Sequence, residues 1–160
     1  MKKVLFSLIT VALILTACGG SVSPTMLNET IVKTGQDVVN IKNTFDKDLT
    51  SAIKSKNYES ITAITDSALT KMDAKIDRLK AMQAPEGGQA YKEIALKTFE
   101  EIRANVEIGK KYADLKPGAT KEFRELEKEY NAKEKECAKL FKEIGKVQSE
   151  YAKSVGRKVK

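Results

Sequence analysis

The most regular pattern in the chain lies in FRELEKEYNAKEKECAKLFKEIGKVQSEY, Phe123 to Tyr151. Along it Phe123, Leu126, Tyr130, Lys133, Cys137, Leu140, Ile144, Val147 and Tyr151 follow one another at alternating intervals of three and four residues. That spacing puts one stripe on an α-helix, in the manner of a coiled-coil seam. Most other positions carry Glu or Lys, as a solvated face requires. Lys133 is the one charged member of the stripe. It is expected either to lay its alkyl stem along the seam or to mark a place where water enters. Thr120 is expected to cap this helix, with Glu122 and Glu125 near its positive end. The pattern fades near Val155-Gly156.

Upstream, the same periodicity recurs three times. Leu27, Ile31, Val38, Ile41, Phe45, Leu49 and Ala52 form a stripe from Thr25 to about Ser55, which Val32, Val39 and Ile53 widen. Gly35 interrupts it, either as a kink or as a place of close approach to a neighbour. Tyr58, Ile61, Ile64, Ala68, Met72, Ile76, Leu79 and Met82 form the second stripe, with Asn57 as its expected cap. A break between Ser55 and Tyr58 is expected, although no Pro or Gly enforces it, and one continuous helix is the alternative. The third stripe runs through Tyr91, Ile94, Ala95, Phe99, Ile102, Val106, Gly109, Tyr112 and Ala113. It lies between two strong interruptions, Ala84-Pro85-Glu86-Gly87-Gly88 and Leu115-Lys116-Pro117-Gly118, because Pro disfavours helix in the residue before it. No run alternates as a β-strand does.

Four amphipathic segments of roughly 40 to 55 Å each, joined by short connections, predict an all-α chain. The expected architecture is an antiparallel, up-down-up-down four-helix bundle over residues 25–156. An even number of helices returns the chain to the pole where it began.

The start of the chain reads differently. Lys2 and Lys3 precede an apolar run from Val4 to Leu15, which is followed by Leu15-Thr16-Ala17-Cys18 and two glycines. The run is about a dozen residues, short of the roughly twenty a membrane span needs, and it has the order of an export signal. Leu15-Thr16-Ala17-Cys18 resembles the lipobox of bacterial lipoproteins. The resemblance implies a signal peptide over 1–17, cleavage before Cys18 and acylation of the Cys18 thiol. Residues 18–24 would then be a lipidated tether reaching at most about 20 Å. Leu27 to Val32 and Phe141 to Lys153 look like a family of small helical surface lipoproteins found in spirochaetes and in the Bacteroidetes group. That family has no established reaction, so the resemblance implies location and fold only. No acidic residue follows Cys18 directly, and outer-membrane placement is expected, with its face left open.

Charge is unevenly spread. Cys18 to Gly109 holds twelve basic and thirteen acidic residues, whereas Lys110 to Lys160 holds fifteen and nine. The basic balance therefore belongs to the last third. Its alternation with acidic residues argues against nucleic acid and for a solvated surface or an acidic envelope or host macromolecule. Lys54, Lys56, Lys110, Lys111, Lys116 and Lys121 are expected to gather at the pole far from the membrane, as an interaction tip. Arg157, Lys158 and Lys160, the tail of residues 157–160, are expected at anionic headgroups.

Catalytic chemistry finds little support. The chain has no His, the commonest general base and metal ligand. Asp46-Lys47-Asp48 begins like a calcium loop but lacks the later Gly and Glu. Glu100 and Glu101, being adjacent on a helix, point in different directions. Cys137, the single thiol left if Cys18 carries lipid, is expected in the core. The expected function is that of a non-enzymatic, cofactor-free and metal-free envelope protein, an interaction or structural module. A periplasmic small-ligand bundle, with a cavity near Gly109, Lys133 and Gly145, is the alternative.

Overall fold

The computed structural model describes residues 21–116 and 118–156. The chain is all-α: α1 spans Pro24–Lys54, α2 Glu59–Ala81, α3 Gln89–Glu107, α4 Gly109–Ala113 and α5 Thr120–Ser154. Four long helices and one single-turn helix thus make a helical bundle.

Local chemistry explains the boundaries. The Ser23 hydroxyl accepts a hydrogen bond from the Met26 amide at 3.2 Å, and Pro24 supplies a first position that needs no donor. α1 ends in a Schellman turn. The Asn57 amide donates to the Ala52 carbonyl at 2.8 Å, and the Lys56 amide to that of Ile53 at 3.1 Å. The left-handed position of this turn, usually glycine, is occupied by Lys56 at φ 57°. The expected break at Ser55–Tyr58 is therefore present, without the glycine that would announce it. Asn57 does not cap α2 through its side chain. The residue before α2 is Tyr58, and it is the Asn57 carbonyl that accepts, from the Ser60 amide and hydroxyl. Thr120 likewise lies inside α5, behind Ala119, and its hydroxyl turns back to the Gly118 carbonyl at 3.3 Å.

The third stripe divides. The amide of Ile108 bonds back three residues to Asn105, and that of Lys111 to Ile108, a tighter winding than the α-helix. Gly109 accounts for the position of this junction. A Cβ built there would stand 2.5 Å from Thr65 Oγ1 and 2.8 Å from Phe45 Cζ. The chain thus passes α1 and α2 at a distance only glycine tolerates.

Contacts between the helices follow a consistent order. Between α1 and α2, the Val22 amide meets the Gln83 carbonyl at 3.2 Å and Asp37 meets Lys75 at 2.8 Å. Between α2 and α3, Lys80 meets Glu100 at 2.9 Å and Asp73 meets Arg103. Between α3 and α5, Tyr91 packs on Tyr151 with ring centroids 5.5 Å apart, and Asn105 donates to the Tyr130 carbonyl at 2.9 Å. Between α1 and α5, Gln148 donates to Asn28 at 2.7 Å and Lys42 to Glu134 at 2.9 Å. In each pairing, residue numbers rise on one helix as they fall on the other. Residues 22–28 and 148–151 consequently share one end of the bundle.

The core is weighted toward the first three long helices. Seven residues of α1, seven of α2 and eight of α3 are buried, against Cys137, Leu140 and Tyr151 on α5. Phe45, Phe99, Met72 and Ile102 lie at its centre. Each such side chain contributes about 1.5–3 kcal/mol by leaving water. Buried Thr65 and Thr98 return their hydroxyls to the Ile61 and Ile94 carbonyls, both at 2.7 Å, so neither is left unsatisfied. α5 carries the most regular stripe yet buries least, because a seam of two positions in seven is narrow. Phe123, Leu126, Tyr130, Ile144 and Val147 remain half-buried along it.

Candidate functional site

Two of the expected sites lie outside the described residues: Cys18 with its signal segment 1–17, and the tail Arg157, Lys158 and Lys160. The lysine tip can be followed in part. Residues of the two connections meet at one end of the bundle, where Ile53, Tyr58, Leu115, Lys116, Thr120 and Phe123 line a shallow depression. Lys54, the last residue of α1, and Lys56, Lys116 and Lys121 make no ion pair among the described residues. Lys110 and Lys111 do not join them as free cations. Lys110 pairs with Asp66 at 3.0 Å and Lys111 with Glu129 at 2.6 Å. Lys110 and Lys111 are thus paired with carboxylates, whereas the other four lysines are not, among the described residues.

The cavity expected near Gly109, Lys133 and Gly145 is not formed. Gly109 is packed against Phe45 and Thr65, and a Cβ on Gly145 would meet nothing within 4 Å, which is open surface. Lys133 lies across α5 in an ion pair with Glu101 of α3. Glu100, its neighbour, pairs with Lys80 instead, so the two carboxylates do diverge as expected.

A different concavity exists, between α1 and α5, with α3 as its floor. It encloses about 410 Å³. Ile31, Val32, Gly35, Gln36, Val39 and Asn40 form the α1 wall; Phe141, Ile144 and Gln148 form the α5 wall; Tyr91 and Phe99 lie beneath. Gly35 shapes the floor: a Cβ there would come within 3.3 Å of the Phe99 ring. α1 continues unbroken through Gly35, so the glycine serves close approach rather than a kink.

Polar clasps join α1 to α5 near both ends of this groove. At one end Asn28 accepts from Gln148 at 2.7 Å and from the Tyr91 hydroxyl at 3.2 Å. At the other, the Lys42 ammonium donates to Asp46 at 2.7 Å, to Glu134 at 2.9 Å and to the Tyr130 hydroxyl at 3.2 Å, while that hydroxyl donates to Asp46. Burial draws the Lys42 ammonium down, but its hydrogen bonds with Asp46 and Glu134 prevail and hold it above its ordinary value. Burial and the Asp46 bond push the Tyr130 phenol far up. Beside the clasp, Asn105 is fully buried, and its side-chain oxygen has no hydrogen-bond partner among the described residues.

The sequence contains a trace of the groove. Ile31-Val32, Val38-Val39 and Leu140-Phe141 are apolar doublets, each placing a second residue beside the helical stripe. One member enters the core, and Val32, Val39 and Phe141 face the groove. The clasps leave no such trace, because Lys42, Asp46, Tyr130 and Glu134 are ordinary surface residue types met only through folding.

Among the described residues no cluster of three or more Cys, Asp or Glu could hold a metal ion, and no helix is long and apolar enough to cross a membrane. Cys137 is buried and free, and burial pushes its thiol up, away from reactive thiolate. Among the described residues, fold and concavities define a small helical bundle with an apolar groove between α1 and α5. No family model matches this chain, and neither a curated protein nor a solved structure is similar to it.

Proposed function

We propose that this chain is a lipid-anchored protein of the bacterial cell envelope, tethered at the outer membrane through Cys18 and working by binding rather than by catalysis. The observation that carries the reading is Leu15-Thr16-Ala17-Cys18 at the end of a short apolar run, one short tether ahead of a bundle that starts at Pro24. In this reading the bundle is up-down-up-down with neighbouring helices antiparallel, which the inverted order of the interhelical pairs supports. Anchor and basic tail then belong to the same pole, since residues 22–28 and 148–151 share one end. Each of Arg157, Lys158 and Lys160 adds about 1 kcal/mol at an anionic surface. The opposite pole offers Lys54, Lys56, Lys116 and Lys121 to an acidic envelope or host macromolecule, and nucleic acid is not among the partners proposed.

Metabolic labelling with palmitate in a bacterial host tests the anchor. Label is expected in the wild-type chain and absent from Cys18→Ser. A wild-type chain without label overturns the reading. Added protease on intact cells then distinguishes a surface-facing from a periplasm-facing bundle.

A further inference from the structure

We propose that the groove between α1 and α5 binds one uncharged single-chain lipid, with its hydrocarbon tail lying along Gly35 above the Tyr91 and Phe99 rings. The first ground is charge. Of all residues in the chain 32% are charged, yet none of the eleven that line the groove is. A charged head drawn inside would lose its hydration and find no counter-charge. The second ground is exposure. Val32 and Phe141, 40% and 38% exposed, stand on opposite walls of this one groove, so its lips present apolar surface to water.

Shape restricts the occupant further. From Ile31 to Asn40 the groove runs about 14 Å at the helical rise. Its volume of about 410 Å³ falls in the range of sites that hold small molecules. A helix, roughly 10–12 Å across, would leave most of its bulk outside a space of this size, whereas one short hydrocarbon chain fits it. The clasps at Asn28–Gln148 and Lys42–Glu134 tie α1 to α5 near each end of the groove, which is open to water along its length. Apolar walls with a few placed polar groups are the usual make-up of a small-molecule site. Here the side-chain amides of Gln36 and Asn40 make no hydrogen bond among the described residues and lie at the rim, where a hydroxyl-bearing head would emerge.

The occupant is a separate molecule, and the proposal stands whether or not Cys18 is acylated. The full chain carrying Cys18→Ser is titrated with dodecyl maltoside below its micelle-forming concentration and followed by nuclear magnetic resonance. Saturable one-to-one binding is expected, with shifts confined to residues such as Ile31, Val39, Phe141 and Ile144. Val39→Phe, which fills the channel, is expected to weaken binding at least tenfold with the melting temperature unchanged. Val32→Ser alters only an exposed lip and is expected to weaken it severalfold, so the test survives if Val39→Phe folds poorly. Dodecanoate and dodecyltrimethylammonium are expected to bind at least tenfold more weakly. Lack of saturation, shifts outside the groove, unchanged affinity in Val32→Ser, or equal binding of the charged amphiphiles would each overturn the proposal.

Discussion

The Lys42 ammonium on α1 stands 2.9 Å from the Glu134 carboxylate on α5, bridging two helices that lie apart along the groove between them. The Lys42 side chain is only 12% exposed, whereas Asp46 and Glu134 reach water more freely. The lysine is therefore the member whose loss leaves partners able to rehydrate.

For that reason Lys42→Met should cost a moderate amount, about 1–2 kcal/mol, near the range for hydrogen bonds to charged groups. The urea midpoint should fall with the slope unchanged. The folded ammonium titrates above its unfolded value of 10.5. Its contribution is thus complete below pH 10.5 and disappears as pH rises through the folded value. The gap between wild type and variant should close in the same direction. An unchanged midpoint at neutral pH would show that the clasp contributes nothing.

Lys56 holds a left-handed backbone at φ 57° to complete the α1 Schellman turn. Lys56→Gly removes the Cβ strain but adds freedom to the unfolded chain. The expected net is a stabilisation of about 0.5–1 kcal/mol, read as a higher melting temperature. Lys56→Val should lower it.

Two glycines give opposite outcomes for the same substitution. Gly109→Ala forces a methyl against Thr65 and Phe45 and should destabilise by about 1–3 kcal/mol. Gly145→Ala meets open space in the middle of α5 and should stabilise by roughly 1 kcal/mol through helix propensity. Chemical denaturation of the two variants side by side is the measurement.

Burial pushes the phenols of Tyr91 and Tyr112 from 10 up to about 12. Because the folded values exceed the unfolded ones, the stability attached to these neutral phenols is whole below pH 10 and drains away between pH 10 and 12. Tyrosinate absorbance should consequently rise together with loss of helical circular dichroism rather than ahead of it. With no Trp in the chain, the signal is unobstructed. Ionisation of Tyr91 and Tyr112 near pH 10 in a still-folded bundle would contradict the packing.

Helix positions were legible because each stripe repeats over several turns, and the breaks at Pro85 and Gly118 carry their own chemistry. The division at Ile108 was not, since Gly109 is compatible with helix and only its closeness to Thr65 and Phe45 reveals its role. The break after Ser55 was legible in the stripes, but its Schellman geometry was not, because Lys56 occupies a glycine's position. At the candidate site, the doublets Ile31-Val32 and Leu140-Phe141 signalled a widened apolar face. Its bridging by Lys42, Tyr130 and Glu134 depends on pairs 88 and 92 residues apart, which no local pattern records. The pairing of Lys110 with Asp66 and of Lys111 with Glu129 was hidden for the same cause, because the partners are remote in sequence.

The lopsided core also bears on how the groove is held. Most of the fully buried apolar side chains belong to the first three long helices, and α5 packs chiefly against α3, with Tyr151 on Tyr91, Asn105 on the Tyr130 carbonyl and Lys133 paired with Glu101. α5 is thus seated against α3 on one side, while across the groove it meets α1 through Gln148 with Asn28 and Glu134 with Lys42. The groove is therefore a seam bridged by polar side chains above a floor of aromatic rings, and its width follows from how α3 seats the two helices beside it.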